Sequence, residues 1–269
     1  MRKNRWWFSM LAAALIAGSG SATPIVTDGQ WNDWFTYGGN VNFITWNENL
    51  VTTTSLNIRN LNDEEGPTPG GGGQDYDIEQ IFYYYDDLDP NNLSGGTFHI
   101  GMVTGYDPAG VNGLQAGDLF LDFGNTGSYV MAIGVGTDDL GRFENAWLNT
   151  GEPNWTLTHV NAPFTPASDP YRVDESQAGA VPVGGVDVAW ALTGRHWFME
   201  VSLGVDAALE DVLTNESGGM GMHWTMECGN DNINVSDDEP FVPVPEPATV
   251  LLLGMGVVGV VLRSRHPDC

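Results

Sequence analysis

Between His196 and Leu203 the chain reads HWFMEVSL, and apolar Trp197, Met199, Val201 and Leu203 alternate with His196, Glu200 and Ser202. A period of two places successive side chains on opposite faces of an extended backbone, so this run predicts a β-strand with one buried face. Comparable short runs recur between clusters of Gly, Asn, Asp and Pro. Ile78 to Tyr85 is aromatic and β-branched, Thr97 to Thr104 follows the turn DPNNLSGG, and Asp118 to Phe123 ends at GNTG. Tyr129 to Val135, Asp187 to Leu192 and Met220 to Met226 complete the set. Residues of these types favour pleated surfaces, and the intervening residues favour turns. Helix is expected only briefly, from Asp206 to Leu213 with Asp206 as its cap. Many short strands with little helix predict an all-β, antiparallel β-sandwich of jelly-roll type.

Both ends of the chain differ from this pattern. Arg2, Lys3 and Arg5 precede the apolar stretch Phe8 to Gly18, and small Gly20 and Ala22 follow. That order is expected of a secretory signal peptide over residues 1–22, as a short signal helix. Near the other end, Pro245, Glu246 and Pro247 precede the uncharged run Ala248 to Leu262, and Arg263 and Arg265 follow it. As an apolar helix this run reaches about 22 Å, against a hydrocarbon core of about 30 Å. It suits transient insertion, a marginal transmembrane helix, with the arginines held on the cytoplasmic side. The two prolines stop the helix and keep Glu246 extended.

Those features together resemble the PEP-CTERM sorting signal of exported bacterial proteins. The resemblance implies recognition of Pro245, Glu246 and Pro247 by an exosortase-type processing enzyme. It also implies a Gram-negative cell envelope, an outer surface or an extracellular polymer matrix as the destination. The domain reading is therefore a signal peptide over 1–22, a sandwich body over 23–235, an acidic, proline-containing linker over 236–244 and a sorting and anchor segment over 245–265.

Residues 23–243 carry 33 acidic residues against 4 arginines and no lysine, a formal charge near −29. Such a field repels nucleic acid and anionic membrane surfaces. The acidic residues suit a salt-adapted surface, Ca²⁺ ligation or catalysis. Asp75 and Asp77 in DYDIEQ would share a strand face, as would Asp118 and Asp122, and neighbouring strands would bring four carboxylates to one Ca²⁺, which takes six to eight oxygens. Asp75, Asp77 and Glu79 also resemble the Glu-x-Asp-x-Glu signature of laminarinase-type retaining β-glucanases, which implies a glycan hydrolase. Asp75 stands where that signature has glutamate, so no residue is assigned a catalytic role and the chain is read as a non-enzyme.

TDGQWNDW, Thr27 to Trp34, and FMEVSLGVDAAL, starting at Phe198, resemble the opening and closing segments of extracellular carbohydrate-binding and DOMON-type sandwich domains. The resemblance implies glycan and calcium as ligands and an extracellular polysaccharide as partner. Aromatic faces stack on sugar rings, and Trp147 and Trp155, which flank LNTGEPN, are expected at the surface with Tyr84. The histidines His99, His159, His196 and His223 show no metal or triad spacing. Cys228 is expected to be a small buried apolar residue. HWTMECGND, His223 to Asp231, looks motif-like without indicating a chemistry. The favoured reading is an exported, anchored structural or adhesive protein, with a non-catalytic carbohydrate-binding module as the alternative and a retaining hydrolase third.

Overall fold

The computed structural model describes residues 25–31, 34–37, 51–53, 59–62, 73–86, 95–136, 146–151, 154–159, 168–206, 209–210, 212 and 219–237. The signal segment, the proline-rich linker beyond Asp237, the sorting segment and both terminal helices expected from sequence lie outside these residues.

The longest apolar runs form the central strands. In chain order the strands are β1 (Phe35–Tyr37), β2 (Val51–Thr53), β3 (Arg59–Asn62), β4 (Ile78–Asp86) and β5 (Thr97–Thr104), then β6 (Asp118–Phe123), β7 (Met131–Gly134), β8 (Ala146–Asn149), β9 (Thr156–Leu157) and β10 (Arg172–Val173). They end with β11 (Ala180–Val183), β12 (Val186–Thr193), β13 (His196–Gly204), β14 (Met220–Thr225) and β15 (Asn232–Asp237). β15 thus continues two residues into the segment read as linker, and Asp237 accepts a hydrogen bond from the Tyr83 hydroxyl at 2.8 Å.

A five-stranded sheet has the order β12-β13-β5-β4-β3, and a six-stranded sheet has the order β11-β8-β7-β6-β14-β15. Every pairing is antiparallel. The all-β sandwich expected from the sequence is the fold observed. Ile81, Tyr83 and Tyr85 of β4, Phe98, Ile100 and Met102 of β5, and Met199, Val201 and Leu203 of β13 pack against Leu119, Leu121, Met131, Ile133, Met222 and Trp224 of the other sheet. Each such fully buried side chain contributes about 1.5–3 kcal/mol of transfer free energy.

The outer faces are covered as well, which a strict two-sheet reading does not anticipate. Ile25 and Trp34 lie on Phe82, Val103 and Phe198 of the five-stranded sheet. Trp155 and Val173 lie on Phe120, Ala132 and Trp147 of the six-stranded sheet. β13 is therefore buried on both faces: Phe198 and Glu200 on its outer side are 3% and 0% exposed. Gly101, in the middle of β5, explains the fit over the first sheet. A Cβ there would stand 3.0 Å from Phe198 Cζ and 3.4 Å from the Trp34 ring.

Asp206 caps the one expected helical turn. Its Oδ1 accepts the Leu209 N–H at 2.9 Å, and its carbonyl accepts the Glu210 N–H at 2.8 Å.

Candidate functional site

The DYDIEQ stretch does not present three carboxylates on one strand face. Gln74–Tyr76 form a 3₁₀ turn, and β4 begins only at Ile78. Asp75 is exposed and Asp77 half-buried. The Asp77 carbonyl accepts the Gly105 N–H at 2.8 Å and the Thr104 hydroxyl at 2.7 Å. The register between β4 and β5 slips between Ile78 and Gln80, leaving Glu79 as the extra residue of a β-bulge. Its carboxylate lies 2.8 Å from His196 Nε2. Asp231 completes this end of the sandwich. Its Oδ2 accepts the Ile78 N–H and its Oδ1 accepts the Asn232 N–H, each at 2.8 Å. Burial pushes the Asp231 carboxyl up to about 6, and the charges of Asp77 and Glu79 act in the same direction.

Asp118 and Asp122 stand elsewhere, on the outer face of β6. Asp118 Oδ2 accepts the Val173 N–H at 2.7 Å and thereby holds β10 to the sheet. Asp122 Oδ1 accepts the Thr126 N–H at 2.9 Å and the Thr126 hydroxyl at 3.0 Å, and its Oδ2 accepts the Gly127 N–H at 2.6 Å. The structure does not bring Asp75, Asp77, Asp118 and Asp122 together. Among the described residues no three His, Cys, Asp or Glu side chains gather closely enough to hold a metal ion.

The expected sugar-stacking tryptophans are corrected by burial. Trp147 is 2% and Trp155 5% exposed, and both pack around Phe120. The polar stretch between them signals a turn, but each indole returns to the apolar outer face of the six-stranded sheet. Tyr84 is half-buried and stacks on His99 with ring centroids 6.1 Å apart. His99 in turn bonds Ser202 Oγ at 2.8 Å, and that hydroxyl bonds Thr27 Oγ1. Burial lowers the His99 imidazole to about 4.

TDGQWNDW and FMEVSL prove to be two halves of one device. Glu200 Oε1 accepts the Trp34 indole N–H at 2.5 Å, while Oε2 accepts the Asp28 and Gly29 N–H groups at 2.9 and 2.5 Å. One buried carboxylate thus clasps the N-terminal cover onto the sheet, with hydrogen bonds strengthened by its charge. Gly29 has φ of 76°, and a Cβ there would fall 2.6 Å from the Trp190 carbonyl carbon, so the approach requires glycine.

HWTMECGND likewise has an architectural role. Trp224 donates to the Gly117 carbonyl at 3.0 Å, Thr225 Oγ1 to the Asp231 carbonyl at 2.6 Å, and Glu227 Oε2 accepts the Gln115 N–H at 3.0 Å. With Asp231 on Ile78, this stretch ties β14 and β15 to the 105–117 loop and to the start of β4 in the five-stranded sheet. Cys228 is half-buried, and burial raises its thiol.

Histidines without sequence spacing find partners through the fold. His159 Nδ1 lies 2.5 Å from Asp169 Oδ1, and its ring stacks on Tyr171 at 4.6 Å. His223 Nε2 is 3.0 Å from the Pro170 carbonyl, and burial lowers its imidazole to about 4. These pairs join residues 10 and 53 positions apart. A local motif carries no signal of such pairing.

Pro245, Glu246, Pro247, Arg263 and Arg265 lie outside the described residues. Residues 243–265 match the model of the PEP-CTERM protein-sorting motif. The match implies an exported protein processed by an exosortase. An envelope or extracellular location is consistent with it. No curated protein and no solved structure matches the chain. The likeness of the body to carbohydrate-binding and DOMON-type domains therefore rests on sequence pattern alone.

Proposed function

We propose that this is a structural or adhesive sandwich, delivered to the cell envelope or an extracellular polymer layer and processed at its PEP-CTERM segment. One observation carries the reading. The buried carboxylates Glu200, Asp118, Asp122 and Asp231 all accept backbone N–H groups, so the chemistry within the body is spent on holding covers, turns and sheets in place. The remaining acidic surplus is left to solvation and to contacts with the surrounding polymer. Extracellular polysaccharide is the partner class this reading names.

Intact-mass analysis of the protein from its native cells, combined with fractionation of envelope and polymer, tests the proposal. The expected result is a mass lacking the apolar segment after Pro247, with the body retained in the polymer or envelope fraction. A mass that keeps residues 248–269 would overturn the processing. A hydrolase is the second reading. It draws on the bulged Glu79 and on Asp231, whose carboxyl is raised by burial and by the charges of Asp77 and Glu79. Release of reducing ends from β-glucan, abolished by Glu79→Gln, would replace the structural reading with that one.

A further inference from the structure

We infer that the protein self-associates along the edge of β12 that no strand among the described residues covers, two copies pairing antiparallel so that their five-stranded sheets join into one. The hydrogen-bond phase of the β12–β13 hairpin identifies which backbone groups are free. Gly204 N–H donates to the Gly185 carbonyl at 3.0 Å, and the register pairs Asp187 with Ser202 and Thr193 with His196. Hydrogen-bonded pairs alternate along an antiparallel ladder, so Asp187, Ala189, Ala191 and Thr193 face β13. The N–H and C=O groups of Val186, Val188, Trp190 and Leu192 point away from the sheet.

An eight-residue edge strand of this kind is a template for another strand unless the fold blunts it. The neighbouring edge strand β11 is blunted. Thr150 N–H donates to the Gly179 carbonyl, which places Pro182, without an N–H, at an outward position. β12 has no proline. Its single ionisable side chain is Asp187 at one end, and Arg195 lies in the turn beyond the other. Both are exposed.

These two charges select the partner. A two-fold axis at Trp190 sets Val188 opposite Leu192 of the second copy and Asp187 opposite Thr193. Asp187 then lies beside the turn that follows Thr193 of the other copy and carries its Arg195, so opposite charges meet at each end of the seam. The relation occurs twice, as an isologous contact requires. Leu192, 56% exposed in the single chain, gains an apolar neighbour in Val188. The net charge of −26 on each copy opposes the approach, so pairing strengthens as salt screens that field.

Sedimentation velocity of the full chain in mild detergent, across protein concentration and from low to moderate NaCl, tests this. The expected result is a monomer–dimer equilibrium that shifts toward dimer with salt. Arg195→Asp weakens it by roughly tenfold, and the double exchange Asp187→Arg with Arg195→Asp restores it. Val188→Pro removes an outward N–H together with a side chain packed against the core, so it abolishes pairing at some cost in stability, and a far-ultraviolet circular dichroism spectrum matching the wild type shows that the loss is of pairing and not of the fold. A monomer at every concentration and salt overturns the inference. So does a dimer indifferent to Arg195→Asp and Val188→Pro, which would place association on another surface or on the apolar segment.

Discussion

Asp122 is nearly buried, 3% exposed, and the turn after β6 closes on its two carboxylate oxygens through Thr126 and Gly127. Replacing it by alanine leaves the Thr126 and Gly127 N–H groups to solvent, at a cost of about 1–2 kcal/mol. Because those donors are part of the chain, the cost of Asp122→Ala measured by urea unfolding is expected to be equal in CaCl₂ and in EDTA at matched ionic strength. A cost that appears only in calcium would make Asp122 a metal ligand after all. Asp118 and Asp122 were legible as an aligned pair on β6, since i and i+4 lie on one face of a strand. What they face was not legible. That depends on Val173, 55 residues away, crossing over the sheet. Trp147 and Trp155 were misplaced for the same reason, because local polarity describes the turn and not what the indole folds back onto.

At the scale of elements, the N-terminal cover is the feature that sets this sandwich apart from a plain pair of sheets. Trp34 is fully buried, edge-on to Phe198 with centroids 6.1 Å apart, and its indole N–H is held by Glu200. Trp34→Ala is expected to destabilise the fold by about 3–5 kcal/mol, since it opens a cavity over Gly101 and leaves Glu200 short of a donor. Denaturant unfolding measures the loss, and dye binding to the uncovered Phe82–Val103–Phe198 face distinguishes a detached cover from global unfolding. A loss under 1 kcal/mol would mean that the cover contributes little. The strands β4, β5, β6, β12 and β13 were readable to within a residue or two from apolar runs and turn residues. The short strands β8 to β11 were not, because two to four residues carry too little periodicity. TDGQWNDW and FMEVSL each stood out in sequence, but the contact that unites Trp34 with Glu200 spans 166 positions.

Across the whole molecule, acid sets two opposing tendencies against each other. Lowering the pH neutralises carboxylates and relieves the self-repulsion of a chain with net charge −26. It also asks buried imidazoles to accept protons. His99 and His223 are lowered by burial to about 4 in the fold, against 6.5 when exposed, so between those values the unfolded chain binds two protons that the folded chain refuses. Their contribution to stability is full above 6.5 and falls as the pH drops toward 4. Asp231 works the other way. Raised by burial to about 6 from 3.8, it takes its proton earlier in the folded state and adds stability over nearly the same window as the pH falls. Two protons against one leave these three groups, taken together, with a loss of stability as the pH falls. His223→Gln keeps a donor for the Pro170 carbonyl and removes one titration, so these local terms then cancel. The self-repulsion term is common to both chains and drops out of their difference. Urea unfolding of wild type and His223→Gln between pH 4 and 6.5 is therefore expected to give profiles that converge by one proton's slope toward acid. Parallel profiles would mean that His223 is not held neutral by its burial between Phe120, Tyr129 and the Pro170 carbonyl.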